Sequence, residues 1–90
     1  MFTSPPVDAE FLIKEQYISL VIDFFGKHVS FFDTEEEETV SCRLKVSEDA
    51  MLHWAAEHAA IVRVTAPETL VEKIRDEIRK ANELYNITGT

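Results

Sequence analysis

The sequence predicts a single α+β domain in which four antiparallel strands form a sheet and two helices cover one of its faces. Three observations support this fold class. Residues 39–46 alternate apolar and polar side chains, as a strand with one buried face does. Residues 15–25 and 67–86 repeat apolar side chains every three or four positions, which is the period of a helix. The length of 90 residues suits one hydrophobic core.

The N-terminal part of the chain combines a tail, a short apolar segment and a helix. Residues 1–8 are predicted to be a linker or tail, because two adjacent prolines favour extended backbone. Residues 9–14 are apolar but short, and they fit either a strand or the start of a helix. The helix over 15–25 ends before Gly26, a residue suited to the left-handed conformation that often follows a helix. Its predicted buried stripe consists of Tyr17, Ile18, Val21, Ile22 and Phe25.

A β-hairpin is predicted after this helix. Residues 28–32 and residues 39–46 both alternate in polarity, and the acidic segment 33–38 between them has the length of a hairpin connection. The apolar face of the second strand comprises Val40, Cys42, Leu44 and Val46.

The C-terminal half supplies two more helices and a strand. Ser47 suits the N-cap of a helix, which carries the single tryptophan, Trp54, as a predicted core residue. The β-branched segment 60–64 predicts a fourth strand. The last helix spans residues 67–86 and is preceded by a capping-box pattern over 65–68.

The order of these elements predicts a particular topology. If residues 9–14 form a strand, the order β-α-β-β-α-β is the split β-α-β, or ferredoxin-like, arrangement, and the last helix is an addition to it. The predicted domain covers residues 9–86, and residues 87–90 are expected to fray.

Charge and cysteine content exclude several classes of protein. The net charge of −8, from 17 acidic and 9 basic residues, disfavours both phosphate backbones and anionic membranes as partners. One cysteine, Cys42, cannot form an internal disulfide, so a secreted disulfide scaffold is excluded. No apolar run reaches the roughly 18 residues of a spanning helix, and no signal peptide is recognisable, so we expect a cytoplasmic protein.

The residue types that catalysis and metal binding require are sparse. His53 and His58 are five residues apart and do not share a helix face, whereas His28 and Cys42 belong to the hairpin region. The acidic run 35–38 lies in the hairpin connection, and with two glycines the chain has no phosphate-binding loop. We therefore expect no metal, no cofactor and no catalytic residue, so the protein is not predicted to be an enzyme.

Several short motifs, taken in order, resemble one family. The chain is similar over residues 9–86 to the C-terminal extension domain of WYL-type bacterial transcription regulators. The motifs that carry this resemblance are Val21–Gly26 at a helix end, Leu44–Ser47 before the Trp54 helix, the strand Ile61–Val64, Pro67–Glu68 at a helix start, and Tyr85.

The resemblance implies a ferredoxin-like fold, with residues 9–14 as the first strand. It also implies a role in dimer contacts and in relaying or sensing an effector signal. In that family the extension follows a winged helix-turn-helix and a WYL domain. Neither is present in these 90 residues, so their functions do not carry over. The chain also departs from the family at Ala59 and Ala60, where a glycine is often found.

A second apolar stripe on the first helix is the predicted contact site. Leu20 and Phe24 are four residues apart and lie beside the buried stripe, with Tyr17 at their edge. Because paired exposed apolar side chains on a small domain tend to mark interaction sites, we predict that these three residues contact a second subunit or a neighbouring domain. The alternative is that the C-terminal helix or the N-terminal tail covers them within one chain.

The polar face of the sheet is the second candidate site. Arg43, Lys45 and Arg63 are predicted to lie on it and to contact a small anionic effector or a neighbouring domain. Phe32 on the same face gives a faint likeness to RNA-binding sheets, but one aromatic residue and the net charge argue against direct nucleic-acid contact. The alternative function is an ACT-like domain, which would hold a small ligand on the sheet face or at a dimer seam.

Overall fold

The computed structural model describes residues 5–89, in which four strands and three α-helices follow the predicted order. The elements are β1 (Pro6–Lys14), α1 (Ile18–Phe25), β2 (Ser30–Asp33), β3 (Thr39–Ser47), α2 (Glu48–Glu57), β4 (Val62–Ala66) and α3 (Glu68–Gly89). Single turns of 3-10 helix flank α1 on both sides.

The strands form one antiparallel sheet in the order β2-β3-β1-β4, which confirms the ferredoxin-like topology with an extra C-terminal helix. The segment that fitted two interpretations is a strand, and it is longer than residues 9–14. It begins at Pro6, because Pro6 to Asp8 pair with Ser47 to Lys45 of β3. The predicted tail is therefore wrong for residues 6–8, and residues 1–4 lie outside the described part of the chain.

One face of the sheet builds the core. Phe11 occupies its centre, paired with Cys42 on β3 and with Val64 on β4. The predicted alternation of β3 is confirmed, since Val40, Cys42 and Leu44 are buried and the intervening side chains are not. Burial raises the pKa of the Cys42 thiol from its ordinary value of 9.0 to about 11.

Helix α1 lies on this face in a rotation that differs slightly from the predicted one. Val21 is fully buried, and Ile18 and Phe25 pack against the core as predicted. Ile22, which was assigned to the buried stripe, is 45% exposed, whereas Leu20 packs against the core. The helix ends at Gly26, whose φ of 72° places it in the region that glycine adopts without strain.

Helix α2 begins as predicted. The Ala50 N–H donates a hydrogen bond to the Ser47 hydroxyl oxygen, 3.4 Å away, which satisfies one of the free donors of the first turn. Met51 and Trp54 face the core, and Trp54 is 3% exposed, which confirms its predicted burial.

Helix α3 begins at Glu68 and packs against α2 and β4 through Leu70 and Ile74. The predicted capping box does not form, because the Thr65 hydroxyl donates a hydrogen bond to the backbone carbonyl of Glu10 on β1. The helix runs to Gly89, beyond the predicted end at residue 86, and Thr90 lies outside the described residues. No helix within residues 5–89 is long and apolar enough to cross a membrane.

Candidate association surface

A cluster of aromatic side chains connects the centre of the sheet to the helix surface. The ring of Trp54 lies 5.3 Å from that of Phe11 and 4.9 Å from that of Phe25, measured between centroids. Phe11 and Phe25 are themselves 6.2 Å apart. These distances are those of favourable tilted and edge-to-face aromatic contacts. Phe11 of β1, Phe25 of α1 and Trp54 of α2 therefore pack against one another.

Phe24 is the outermost member of this cluster. Its ring lies 4.8 Å from Phe25 in an edge-to-face arrangement and 6.0 Å from Trp54. It is nevertheless 58% exposed, the largest exposure of any aromatic side chain in α1 or α2. The structure thus holds a large apolar group in place while leaving most of its surface uncovered.

The three predicted contact residues lie on one flank of α1, which we call the α1 flank and define as Tyr17, Leu20 and Phe24. Their spacing of three and four residues places them on the same side of the helix. Tyr17 and Leu20 are half-buried and pack against the core, so Phe24 provides most of the exposed apolar surface. Ile22 is two residues before Phe24, which places it on the opposite flank.

The C-terminal helix does not hide Phe24. Helix α3 lies against α2 and β4, and Phe24 remains mostly exposed. The sequence left open whether α3 covers the α1 flank. In the described residues, α3 leaves Phe24 uncovered.

The sequence position of His58 does not predict that this residue belongs to the aromatic cluster. Its ring lies 4.9 Å from that of Trp54, and its Nδ1 is 2.8 Å from the Trp54 carbonyl oxygen, one helical turn earlier. His58 thus borders the same aromatic cluster from the end of α2. The i, i+4 spacing to Trp54 was the only available signal, and many helical pairs share it.

The open face of the sheet, opposite the helices, places its predicted cations beside carboxylates. Arg43 Nε lies 2.8 Å from a Glu10 oxygen, and its guanidinium carbon is 4.6 Å above the centre of the Phe32 ring. Lys45 Nζ is 4.0 Å from Asp8 on the same neighbouring strand. Both contacts cross from β3 to β1, where these residues are paired in register.

Arg63 lies apart from the other two cations. It is on β4, beyond β1, and opposite Leu12. A depression of about 420 Å³ adjoins Arg43 and Lys45 but is also lined by Asp8 and Glu10, so its charge is mixed. The structure therefore brings Arg43 and Lys45 together and leaves Arg63 outside the pair.

Side chains suited to chemistry are not gathered in the described part of the chain. Within residues 5–89, no group of three or more His, Cys, Asp or Glu side chains is placed to hold a metal ion. Cys42 is buried, and that burial raises its pKa and so disfavours the thiolate. His53 Nδ1 lies 2.9 Å from the Asp49 carbonyl oxygen on its own helix.

Comparison of the chain with protein-family models and with curated proteins found no match.

Proposed function

We propose that this domain is a non-catalytic association module that holds two copies of the chain together through the α1 flank. The observation that carries the proposal is the exposure of Phe24, 58%, on a ring fixed by Phe25 and Trp54. Within that proposal, the chain would correspond to the C-terminal extension of a WYL-type transcription regulator, in which it would also transmit the effector state between subunits.

A fixed aromatic side chain is well suited to anchor an interface. Hot spots are enriched in large aromatic groups, and a ring that is already held loses little conformational entropy on binding. An aromatic side chain has roughly 150–250 Å² to bury. Covering Phe24, 58% exposed, would then remove roughly 100 Å² of apolar surface and contribute roughly 2–3 kcal/mol in each copy.

The aromatic cluster offers a path for the proposed relay. Phe24 contacts Trp54 of α2, and Trp54 contacts Phe11 at the centre of the sheet. If the second copy shifted its position on the α1 flank, α2 and the sheet would therefore be displaced as well, because close-packed side chains transmit strain.

The rival function is binding of a small anionic effector on the open sheet face, as in an ACT-like domain. The ion pairs of Arg43 with Glu10 and of Lys45 with Asp8 count against it, because an anion would have to compete with carboxylates already present. Thermal stabilisation by added anionic metabolites would support this rival, since a ligand that binds only the folded state raises its stability.

Paired variants on the two flanks of α1 test the proposal. Sedimentation velocity is measured for the wild-type chain, for Phe24→Arg and for Ile22→Arg, which introduces the same charge on the opposite flank at a site 45% exposed. We expect Phe24→Arg to weaken self-association at least about a hundredfold, because a twofold-symmetric interface contains the change twice. Ile22→Arg should leave it within about threefold of wild type.

Salt provides an independent measurement. Each copy carries a net charge of −8, so two copies repel, and screening should tighten the dimer as ionic strength rises. Equal effects of the two arginine variants, or a wild-type chain that sediments as a monomer at every concentration, would show that the α1 flank is not a self-association site.

A further inference from the structure

An apolar groove with a cationic rim runs between β4 and α3, and no residue of α1 lines it. It has a volume of about 360 Å³. Val62 and Val64 of β4 form one wall, and Val71, Ile74 and Ile78 of α3 form the other. Arg63 and Arg75 line the same groove, one from each wall, and no acidic side chain lines it.

Strand β4 borders this groove as the last strand of the sheet. It pairs with β1 on its inner side, and among the described residues no strand pairs with its outer side. The outward-facing backbone groups of an edge strand are available to hydrogen-bond another extended chain. The groove therefore combines apolar walls with an unpaired strand edge.

The charges of the groove are unusual for this acidic chain. Five of the nine lysines and arginines form ion pairs with described residues, namely Arg43, Lys45, Lys73, Arg79 and Lys80. Arg63 and Arg75 are two of the remaining four. Arg63 and Arg75, which form no ion pair with a carboxylate in the described part of the chain, thus both line one apolar groove.

We propose that this groove binds an extended peptide segment of alternating acidic and apolar residues, which adds to the sheet as a fifth strand beside β4. Successive side chains of a strand point to opposite faces. One set of side chains of the added strand, the apolar set, would face the apolar wall formed by α3, near Arg75. The other set would lie on the open face, beside Arg63, which alternates with the buried Val62 and Val64.

Charge also selects between possible occupants. A second copy of β4 would bring another Arg63 to the same edge, and like charges placed opposite each other on neighbouring strands are destabilising. An acidic strand gains from the same residue. This inference goes beyond the proposed self-association, because it concerns a different surface and a different partner.

Fluorescence anisotropy with defined probes tests the proposal. The probe is a fluorescein-labelled heptapeptide of alternating valine and glutamate, titrated with the 90-residue chain. Two further peptides serve as comparisons: one with lysine in place of glutamate, and one with N-methyl groups on the amides that would face β4. We expect saturable binding of the first peptide and losses of at least about tenfold for both others, since one lacks charge complementarity and the other lacks strand hydrogen bonds.

Two variants of equal charge change locate the binding. Arg63→Glu should weaken binding at least about tenfold, because Arg63 lies on the face that would receive the glutamates, whereas Lys27→Glu, at an exposed site outside the groove, should change it by less than about twofold. Phe24→Arg should bind the peptide as wild type does, which keeps failure of this proposal distinct from failure of self-association.

Three results would overturn the inference: no saturable binding of the acidic peptide, equal binding of the lysine peptide, or equal binding of the N-methylated peptide. The last would mean that charge alone attracts acidic molecules and that no strand is added. Circular dichroism of each variant establishes that it is folded before its binding is measured.

Discussion

Replacing Trp54 by alanine should remove a large part of the stability of this domain. The side chain is 3% exposed and touches aromatic rings from β1, from α1 and from the end of α2. Truncation of a buried tryptophan to alanine costs about 3–5 kcal/mol. A 90-residue domain has a total stability of roughly 5–14 kcal/mol. We therefore expect Trp54→Ala to lower the melting temperature by about 20 °C.

The matched control is Phe24→Ala, which removes an aromatic ring from the outside of the same cluster. Because Phe24 is mostly exposed, its truncation should cost about 1 kcal/mol, largely the value of its contacts with Phe25 and Trp54. Both variants are unfolded in urea and followed by far-ultraviolet circular dichroism, since Trp54→Ala removes the only tryptophan. The protein concentration is kept below that of any self-association, which would add stability.

The difference between the two variants is the decisive quantity. Equal losses would mean that Phe24 is as much a part of the core as Trp54 and is not available as a contact surface. A loss below about 1 kcal/mol for Trp54→Ala would contradict the central place of Trp54 in the packing.

Further predictions concern α1, the α2 cap and the core thiol. Leu20→Glu should cost about 2 kcal/mol more than Ile22→Glu in urea unfolding, because Leu20 packs against the core and Ile22 is largely exposed; equal costs would contradict the assigned flanks of α1. Ser47→Ala should cost about 1 kcal/mol through loss of the cap to Ala50, whereas Ser47→Asp should retain it. The raised pKa of Cys42 contributes stability that is complete below pH 9 and lost as pH rises toward 11, because the unfolded thiol ionises first. Unfolding of wild type and Cys42→Ala across that range should reveal an extra loss of about 2 kcal/mol in wild type, and parallel curves would refute the shift.

Local patterns predicted the parts of the fold that local physics controls. The alternation of β3, the cap at Ser47 and the burial of Trp54 were all predicted correctly, because each depends on neighbours in sequence or on the size of one apolar side chain. The ferredoxin-like order followed from these elements.

Features that depend on packing between distant elements were less predictable. Leu20 and Ile22 are both apolar and lie on either side of the buried stripe of α1, so periodicity alone does not decide which packs inward. That choice depends on where the neighbouring elements lie. Strand β1 starts at Pro6 because the far end of β3 pairs with it, and a proline is accepted at the first position of a strand.

The candidate sites likewise combine features that follow from local sequence with features that depend on packing between distant elements. The grouping of Tyr17, Leu20 and Phe24 on one flank follows from helical spacing, but the contact of Phe24 with Trp54 brings together residues thirty positions apart. No sequence pattern predicted Arg75 as a site residue, because only the packing of α3 beside β4 places it in the groove with Arg63.

The solution mass of the wild-type chain, measured by light scattering across a dilution series, tests the central claim most directly. The chain has a mass of 10.3 kDa. The proposed association predicts twice this mass at high concentration, falling toward the single-chain value on dilution, with Phe24→Arg remaining at the single-chain value throughout. A wild-type chain that stays at 10.3 kDa at every concentration, in low and in high salt, would contradict self-association through the α1 flank.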